Sequence, residues 1–119
     1  MAKNYRELIV WQKAMELTVE IYGVASELPD SEKYGLRSQM QRAACSIPSN
    51  IAEGHARQGT GHYVQHLGYA QGSLAELETQ LILTTKLSML PRRRIELAWT
   101  QADEIGKMLR TIIQRLTTA

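Results

Sequence analysis

The sequence predicts an all-α protein, an antiparallel up-down-up-down four-helix bundle that occupies residues 1–119 as a single domain. Apolar residues recur at the helical period of 3.6 through every long window. Proline and glycine interrupt this pattern at only three places, Pro29, the pair Gly59 and Gly61, and Pro91. A chain of 119 residues has the usual size of one domain. Because the connections are short, consecutive helices should be antiparallel neighbours.

The first helix is predicted at about residues 7–27, and the Pro29-Asp30-Ser31 turn ends it. Its apolar residues form two stripes on opposite sides, and one bundle cannot bury both. We expect the core to receive Leu8, Trp11, Met15, Val19, Tyr22 and Ala25. We expect a second subunit to cover Val10, Leu17, Ile21 and Val24.

The second helix is predicted from Leu36 to about Arg57, and it contains a proline. The apolar positions are Leu36, Met40, Ala43, Ile47, Ile51 and Gly54. They stay in phase on both sides of Pro48, so we place this proline inside the helix, at a kink. An interior proline leaves the carbonyl of Ala44 without its helical donor, which costs about 3 kcal/mol unless another group satisfies it. Short polar side chains that could do so are Ser46, Ser49 and Asn50.

The third and fourth helices are predicted on either side of Pro91. The third starts near Thr60 and ends near Ser88, with Tyr63, Leu67, Ala70, Leu74, Leu77 and Leu81 on one face. Pro91 suits the first turn of the fourth helix, where its missing N–H would have no partner. The apolar stripe of that helix is Ile95, Ala98, Ala102, Ile105, Leu109, Ile112 and Leu116.

Net charge, cysteine content and hydrophobicity limit the classes of protein to which the chain can belong. The chain has 14 Lys and Arg against 12 Asp and Glu, and a net charge of +2 does not by itself imply nucleic-acid binding. Cys45 is the single cysteine, which rules out an internal disulfide, so we expect a cytoplasmic location. No stretch approaches about 18 uncharged apolar residues, so no membrane span is expected.

A polar stripe borders the apolar face of the second helix. It consists of Arg42, Ser46, Ser49, Asn50, Glu53 and Arg57. One interpretation is a ligand or partner site at the Pro48 kink, and the other is a set of interhelical hydrogen bonds and ion pairs that fix helix register. We favour the second, because such stripes in bundles are more often structural than catalytic.

The segments 8–14 (LIVWQKA), 34–39 (YGLRSQ), 46–54 (SIPSNIAEG) and 72–81 (GSLAELETQL) resemble the bacterial 23S ribosomal RNA intervening-sequence proteins. The resemblance covers nearly the whole chain. It implies a four-helix bundle that assembles as a homopentameric ring. It also implies kinship with the accessory variability determinant of diversity-generating retroelements, whose basic barrel binds reverse transcriptase and nucleic acid. It implies no catalytic residue.

The basic residues suggest where nucleic acid could bind. Arg92, Arg93 and Arg94 follow Pro91 at the positive end of a helix dipole, where each cation is disfavoured by about 0.3–1 kcal/mol. RNA phosphates would offset that cost, but exposed arginines are well solvated and Glu96 can pair with Arg92, so a solvated helix end is the favoured interpretation. Further candidate contacts are Arg37 and Arg57. No aromatic residue is interleaved with these cations, so any binding should be weak, salt-sensitive and independent of sequence.

No catalytic or metal constellation is evident. His62 and His66 are four residues apart on one predicted helical face, but no Glu-x-x-His or HExxH arrangement accompanies them. Cys45 lacks a neighbouring base. Glu76 and Glu78 point to opposite sides of the third helix, and Glu78 should pair with an arginine such as Arg42. We therefore predict no enzyme activity, cofactor, metal or small-molecule substrate.

The favoured function is a non-enzymatic oligomeric scaffold for RNA or for a protein that handles RNA. A ring whose partner is another protein is the alternative, and a bundle-core hydrolase or metal-dependent enzyme is the less favoured one. Self-association is further supported by small residues on the third helix, which would let another helix approach closely. These are Gly68, Gly72 and Ala75.

Overall fold

The computed structural model describes residues 4–118, and it consists of four long helices. They are α1 (Ile9–Ser26), α2 (Leu36–Ala56), α3 (Thr60–Lys86) and α4 (Arg92–Thr117). Short 3-10 turns at Tyr5–Glu7 and Asp30–Glu32 precede α1 and α2. The described chain contains no strand and measures 46 × 22 × 20 Å. The predicted all-α four-helix bundle is confirmed.

The helices form a square in which each one packs against two neighbours. α1 contacts α2 and α4, and α3 contacts the same two, so α1 and α3 occupy opposite corners. Two ion pairs show that α1 and α4 run in opposite directions: Lys13 pairs with Glu104 at 2.7 Å, and Glu27 pairs with Arg94 at 2.6 Å. This packing is compatible with the predicted up-down-up-down order.

The predicted helix ends differ from the observed ones by two residues or fewer. α1 begins at Ile9, because the preceding residues form a 3-10 turn and Leu8 is extended. α3 ends at Lys86, and Ser88 then takes the left-handed conformation at φ 58°, which terminates the helix. Pro91 lies immediately before α4 as its N-cap, one position earlier than predicted.

The face of α1 that packs into the core is the opposite of the predicted one. The core-facing residues are Val10, Ala14, Leu17, Ile21, Val24 and Ala25. Val10, Leu17, Ile21 and Val24 were expected at a subunit contact, and that assignment is wrong, because their side chains are buried within one chain. Of the stripe predicted to be core, Ala25 alone is buried, while Leu8 and Trp11 are partly buried and Met15, Val19 and Tyr22 are exposed.

Two side chains that flank the buried stripe explain this rotation of α1. Thr18, on one side, reaches α2, where its hydroxyl lies 3.1 Å from the carbonyl of Ala44. Glu20, on the other side, reaches α4 and accepts a hydrogen bond from Arg94 at 3.0 Å. The apolar stripe between them therefore faces the bundle interior. The two stripes are similarly apolar, so the position of these polar flanks decides between them.

The predicted apolar faces of the other three helices are confirmed. α2 buries Met40, Ala43, Ile47, Ile51 and Gly54. α3 buries Leu67, Ala70, Leu74, Leu77 and Leu81. α4 buries Ile95, Ala98, Ala102, Ile105 and Leu109. The remaining predicted positions are partly buried at the edge of this core, namely Leu36, Tyr63, Ile112 and Leu116.

Pro48 lies inside α2, which continues from Leu36 to Ala56, as predicted. The carbonyl of Ala44, which loses its helical donor to the proline, accepts a hydrogen bond from the Thr18 hydroxyl of α1. The same hydroxyl lies 2.8 Å from the carbonyl of Ala14, so its single proton is shared between two acceptors. The compensating group therefore comes from the neighbouring helix, where the sequence had suggested side chains of α2 itself.

None of the helices in residues 4–118 combines the length and the apolar character that a membrane crossing requires.

Candidate functional site

The polar stripe of α2 meets polar side chains of α3. Ser46 Oγ lies 2.7 Å from Ser73 Oγ, and Asn50 Nδ2 donates to the carbonyl of Ser46 at 2.8 Å. Asn50 Oδ1 lies 3.2 Å from Nδ1 of His66, a buried histidine. These side chains form a hydrogen-bonded network at the edge of the core, which fits a role in fixing the register of α2 and α3.

The outer part of the stripe makes fewer contacts with α3. Glu53 pairs with Arg57 at 3.0 Å along α2, and its other oxygen lies 3.9 Å from His66 Nδ1. Arg42 and Ser49 are exposed to solvent. The six residues predicted as one stripe therefore divide into an inner pair, Ser46 and Asn50, that bonds α3 and an outer set at the surface.

Gly54 allows α2 and α3 to approach closely beside this network. A methyl group at Gly54 would lie 2.6 Å from Cβ of His66, closer than two such carbons can come. The sequence had marked His66 only as a weak metal candidate together with His62. In the structure His62 is exposed whereas His66 is buried against Asn50. Nowhere in residues 4–118 do three His, Cys, Asp or Glu side chains converge as a metal site would require.

The three arginines after Pro91 have different surroundings. Arg94 donates to Glu27 at 2.6 Å and to Glu20 at 3.0 Å, and the hydrogen bond to Glu27 is the main cause that raises the pKa of its guanidinium. Arg94 thus ties α4 to α1. Arg92 and Arg93 are exposed, and neither has a carboxylate partner in the described chain. The alternative pair of Arg92 with Glu96 is therefore not formed.

The two other candidate cations also have partners within the chain. Arg37 donates to the carbonyl of Leu28 at 2.6 Å and lies 3.6 Å from Asp30. Arg57 is held by the surface pair with Glu53. Arg92 and Arg93 are consequently the members of the predicted set most available to a phosphate.

A groove of about 540 Å³ lies between α3 and α4, next to these arginines. We call it the α3–α4 groove; it is lined by Ile82, Thr85, Lys86, Arg92, Ile95, Glu96, Trp99 and Thr100. Trp99, 38% exposed, shares this groove with the cations Lys86 and Arg92. No aromatic residue is interleaved with the basic residues in the sequence, but Trp99 follows Arg92 by seven residues, which places both on the same face of α4.

Two titratable side chains lie in environments that the sequence did not predict. Glu78 lies near Asp103 of α4, and no ion pair with Arg42 forms among the described residues; burial, and then the charge of Asp103, raise the pKa of Glu78. The Tyr22 hydroxyl lies 3.4 Å from Sγ of Cys45, and this hydrogen bond is the main cause that raises the pKa of Tyr22.

A family model for the 23S rRNA-intervening sequence proteins matches residues 6–111 of the chain. The chain belongs to this family. A crystal structure from Bacteroides thetaiotaomicron, of a protein with unknown function from the S23 ribosomal protein family, is similar, with a TM-score of 0.82 and 27% sequence identity. The match covers 88% of the present chain and 98% of that chain. A comparison with curated proteins gave no match.

Membership of the 23S rRNA-intervening sequence protein family confirms the resemblance inferred from the four sequence segments. The matched residues 6–111 include the α2–α3 polar network, Arg92 and Arg93, and the whole α3–α4 groove. Each of these features thus lies within the matched part of the chain.

Proposed function

We propose that this 23S rRNA-intervening sequence protein is a non-enzymatic subunit of a homopentameric ring, which acts in the cytoplasm as a scaffold for RNA or for an RNA-handling protein. The observation that carries the proposal is an uncovered apolar stripe on α1. We call it the α1 surface stripe; its members are Met15, Val19 and Tyr22, which are exposed, and the partly buried Trp11 borders it. The number five rests on the family resemblance.

The α1 surface stripe is the kind of surface that subunit contacts cover. Val19 is 73% exposed, and Met15 and Tyr22 are exposed beside it. Soluble monomers seldom leave a contiguous apolar surface larger than a few hundred Å² in water. α1 therefore has two apolar faces, and one bundle buries only one of them. The buried face is the one predicted to lie at the subunit contact, and the exposed face is the one predicted to be buried in the core.

The proposed partner of the α1 surface stripe is the outer face of α3 in the next subunit. Gly68 and Gly72 have open space around their Cα atoms, and Ala75 is exposed on the same side. Small residues let a neighbouring helix approach closely. Because α1 and α3 occupy opposite corners of the bundle, a contact between α1 of one subunit and α3 of the next is head-to-tail, and such contacts generate rings when the rotation closes.

Native mass measurement of Val19→Glu tests the assembly. Wild type should have the mass of five 13.4 kDa subunits, and Val19→Glu should give smaller species with unchanged helix content. Thr111→Glu is the matched control, because it places the same charge at an exposed polar position of α4 and should leave the mass unchanged. A wild-type protein that sediments as a monomer at micromolar concentration would overturn the ring.

Association with RNA is supported by the unpaired cations Arg92 and Arg93, which a ring would repeat around its circumference. Repetition converts a small charge per subunit into a sizeable electrostatic field. For binding through phosphates, the logarithm of the binding constant falls linearly with the logarithm of the salt concentration. Arg92→Gln with Arg93→Gln should weaken RNA binding and flatten its salt dependence. Equal affinity of the double variant and wild type would show that these arginines have no role.

A ring that binds another protein is the second candidate. It is favoured by the pairing of Arg37, Arg57 and Arg94 within the chain, which leaves less free positive charge than the sequence suggests. An intact ring that binds no RNA at 50 mM salt would select this candidate. A bundle-core enzyme is less favoured, because the described interior is almost entirely aliphatic, and its buried polar side chains are His66, Gln80 and Thr84.

A further inference from the structure

We infer that the α3–α4 groove binds one nucleotide unit of single-stranded RNA, with the base against Trp99 and the phosphate between Lys86 and Arg92. This inference deepens the RNA-binding part of the proposed function and rests on it. It names the binding site and the chemistry of the ligand, whereas the proposed function names only the cations that attract RNA.

The walls of the groove suit a planar aromatic ligand. Ile82, which is 40% exposed, offers an apolar surface beside the partly exposed Trp99, and the nearly buried Ile95 also lines the groove. Stacking of a base on an aromatic side chain is tolerant of sequence, because every base has a π face. The groove volume of about 540 Å³ lies within the range of small-ligand sites, which is roughly 300–1,000 Å³.

The charge of the groove suits a phosphate. Lys86 lies in the last turn of α3 and Arg92 begins α4, and the described chain provides no ion pair for either. Glu96 is the single carboxylate in the lining, so the groove has an excess of positive charge. Arg92 also lies at the positive end of the α4 dipole, where a bound anion would offset the unfavourable placement of a cation.

The same charges argue against a second protein chain as the occupant. An apolar contact that covered the groove would bury two cations with only Glu96 to compensate them, and uncompensated buried charge is costly. A single strand fits better than a duplex, because the base face must be free to reach Trp99, and paired bases are stacked within the helix.

The test measures fluorescence anisotropy of a labelled single-stranded oligouridylate at a series of salt concentrations, with an RNA duplex of equal length and uridine monophosphate as competitors. The groove variants are Lys86→Gln with Arg92→Gln, Trp99→Ala and Trp99→Phe. The control is Arg110→Gln with Arg115→Gln, which removes the same charge from exposed positions at the other end of α4.

The charge variant should bind the oligouridylate about tenfold more weakly, and its logarithmic salt slope should fall by about 0.7, the value for one lost phosphate contact on a single strand. Trp99→Ala should also bind about tenfold more weakly, whereas Trp99→Phe keeps an aromatic face and should retain most of the affinity. The control should stay within about twofold of wild type, and duplex should compete poorly.

Several outcomes would overturn the inference. Wild-type binding that the groove variants do not weaken would remove the site and leave RNA binding by the ring intact. A wild type that binds no RNA at 50 mM salt would remove both. A lower native mass for Trp99→Ala would identify the groove as a subunit contact. Binding of uridine monophosphate as tight as that of the oligonucleotide would assign a free nucleotide, and would overturn RNA as the occupant.

Discussion

Gly54 faces His66 across the contact between α2 and α3, where the structure leaves no room for a methyl group. Gly54→Ala should therefore destabilise the fold by about 1–3 kcal/mol, although alanine is the better helix former by roughly 0.5–1 kcal/mol. Gly61→Ala is the control, because nothing lies within 4 Å of the place that its methyl group would take, and this change should stabilise the subunit by up to about 1 kcal/mol. Urea denaturation of both variants measures the two effects. Equal stabilisation by both changes would contradict the close approach.

Glu78 is a carboxylate whose pKa is raised in the folded state, by burial first and by Asp103 second. A raised pKa means that the folded state holds the proton more tightly than the unfolded state, so this group lowers stability as the pH rises through and above its ordinary value of 4.5. Glu78→Gln should then be more stable than wild type at pH 7, with the difference shrinking toward pH 4. Denaturation curves at the two pH values test this, and a variant less stable than wild type at pH 7 would refute it.

The sequence could locate the arginine run but could not separate its members. Successive residues on a helix point about 100° apart, so Arg92 and Arg94 face different neighbours. Which neighbours they meet depends on packing, and Glu20 and Glu27 of α1 are distant in sequence. Trp99, by contrast, lies two turns after Arg92 on α4, so helical spacing alone places both residues on one face.

At the scale of one element, α2 depends on α1 for a backbone hydrogen bond. Thr18→Val should destabilise the fold by about 1–2 kcal/mol, because the carbonyl of Ala44 loses its donor. In a Pro48→Ala background the helix regains its own donor, so the same threonine change should cost less. A double-mutant cycle measures this coupling, which we expect to be about 1 kcal/mol. Additive effects would show that the threonine and the proline act independently.

The extent of each helix could be predicted from the sequence, whereas the rotation of α1 could not. Periodicity and the positions of proline and glycine are local signals, and they placed all four helices. The orientation of α1 depends on Thr18 and Glu20, whose partners lie on other helices. The candidate site shows the same difference. The polar stripe of α2 could be predicted from the sequence, but its partners on α3, Ser73 and His66, could not.

For the whole molecule, a glutamate should have different effects in the buried apolar stripe of α1 and in the exposed one. Ile21 is fully buried, so Ile21→Glu should prevent stable folding of the subunit, because an unpaired charge would enter the core. Val19→Glu should leave the subunit folded and remove only its association. Circular dichroism and sedimentation of the two variants distinguish these outcomes. A folded, smaller species from Ile21→Glu would contradict the orientation of α1 in the bundle.

The shared hydrogen bond between Thr18 and Ala44 has a consequence for the order of folding. In a peptide of residues 36–57 the interior proline would remove one helical hydrogen bond and crowd the carbonyl of Ala44, and isolated helices of that length are marginal even without a proline. α2 should therefore gain lasting helical structure only when it docks on α1, and the two should form together as one cooperative unit. Native-state hydrogen exchange should then show the amides near Pro48 opening in the same step as those of the α1 segment around Thr18.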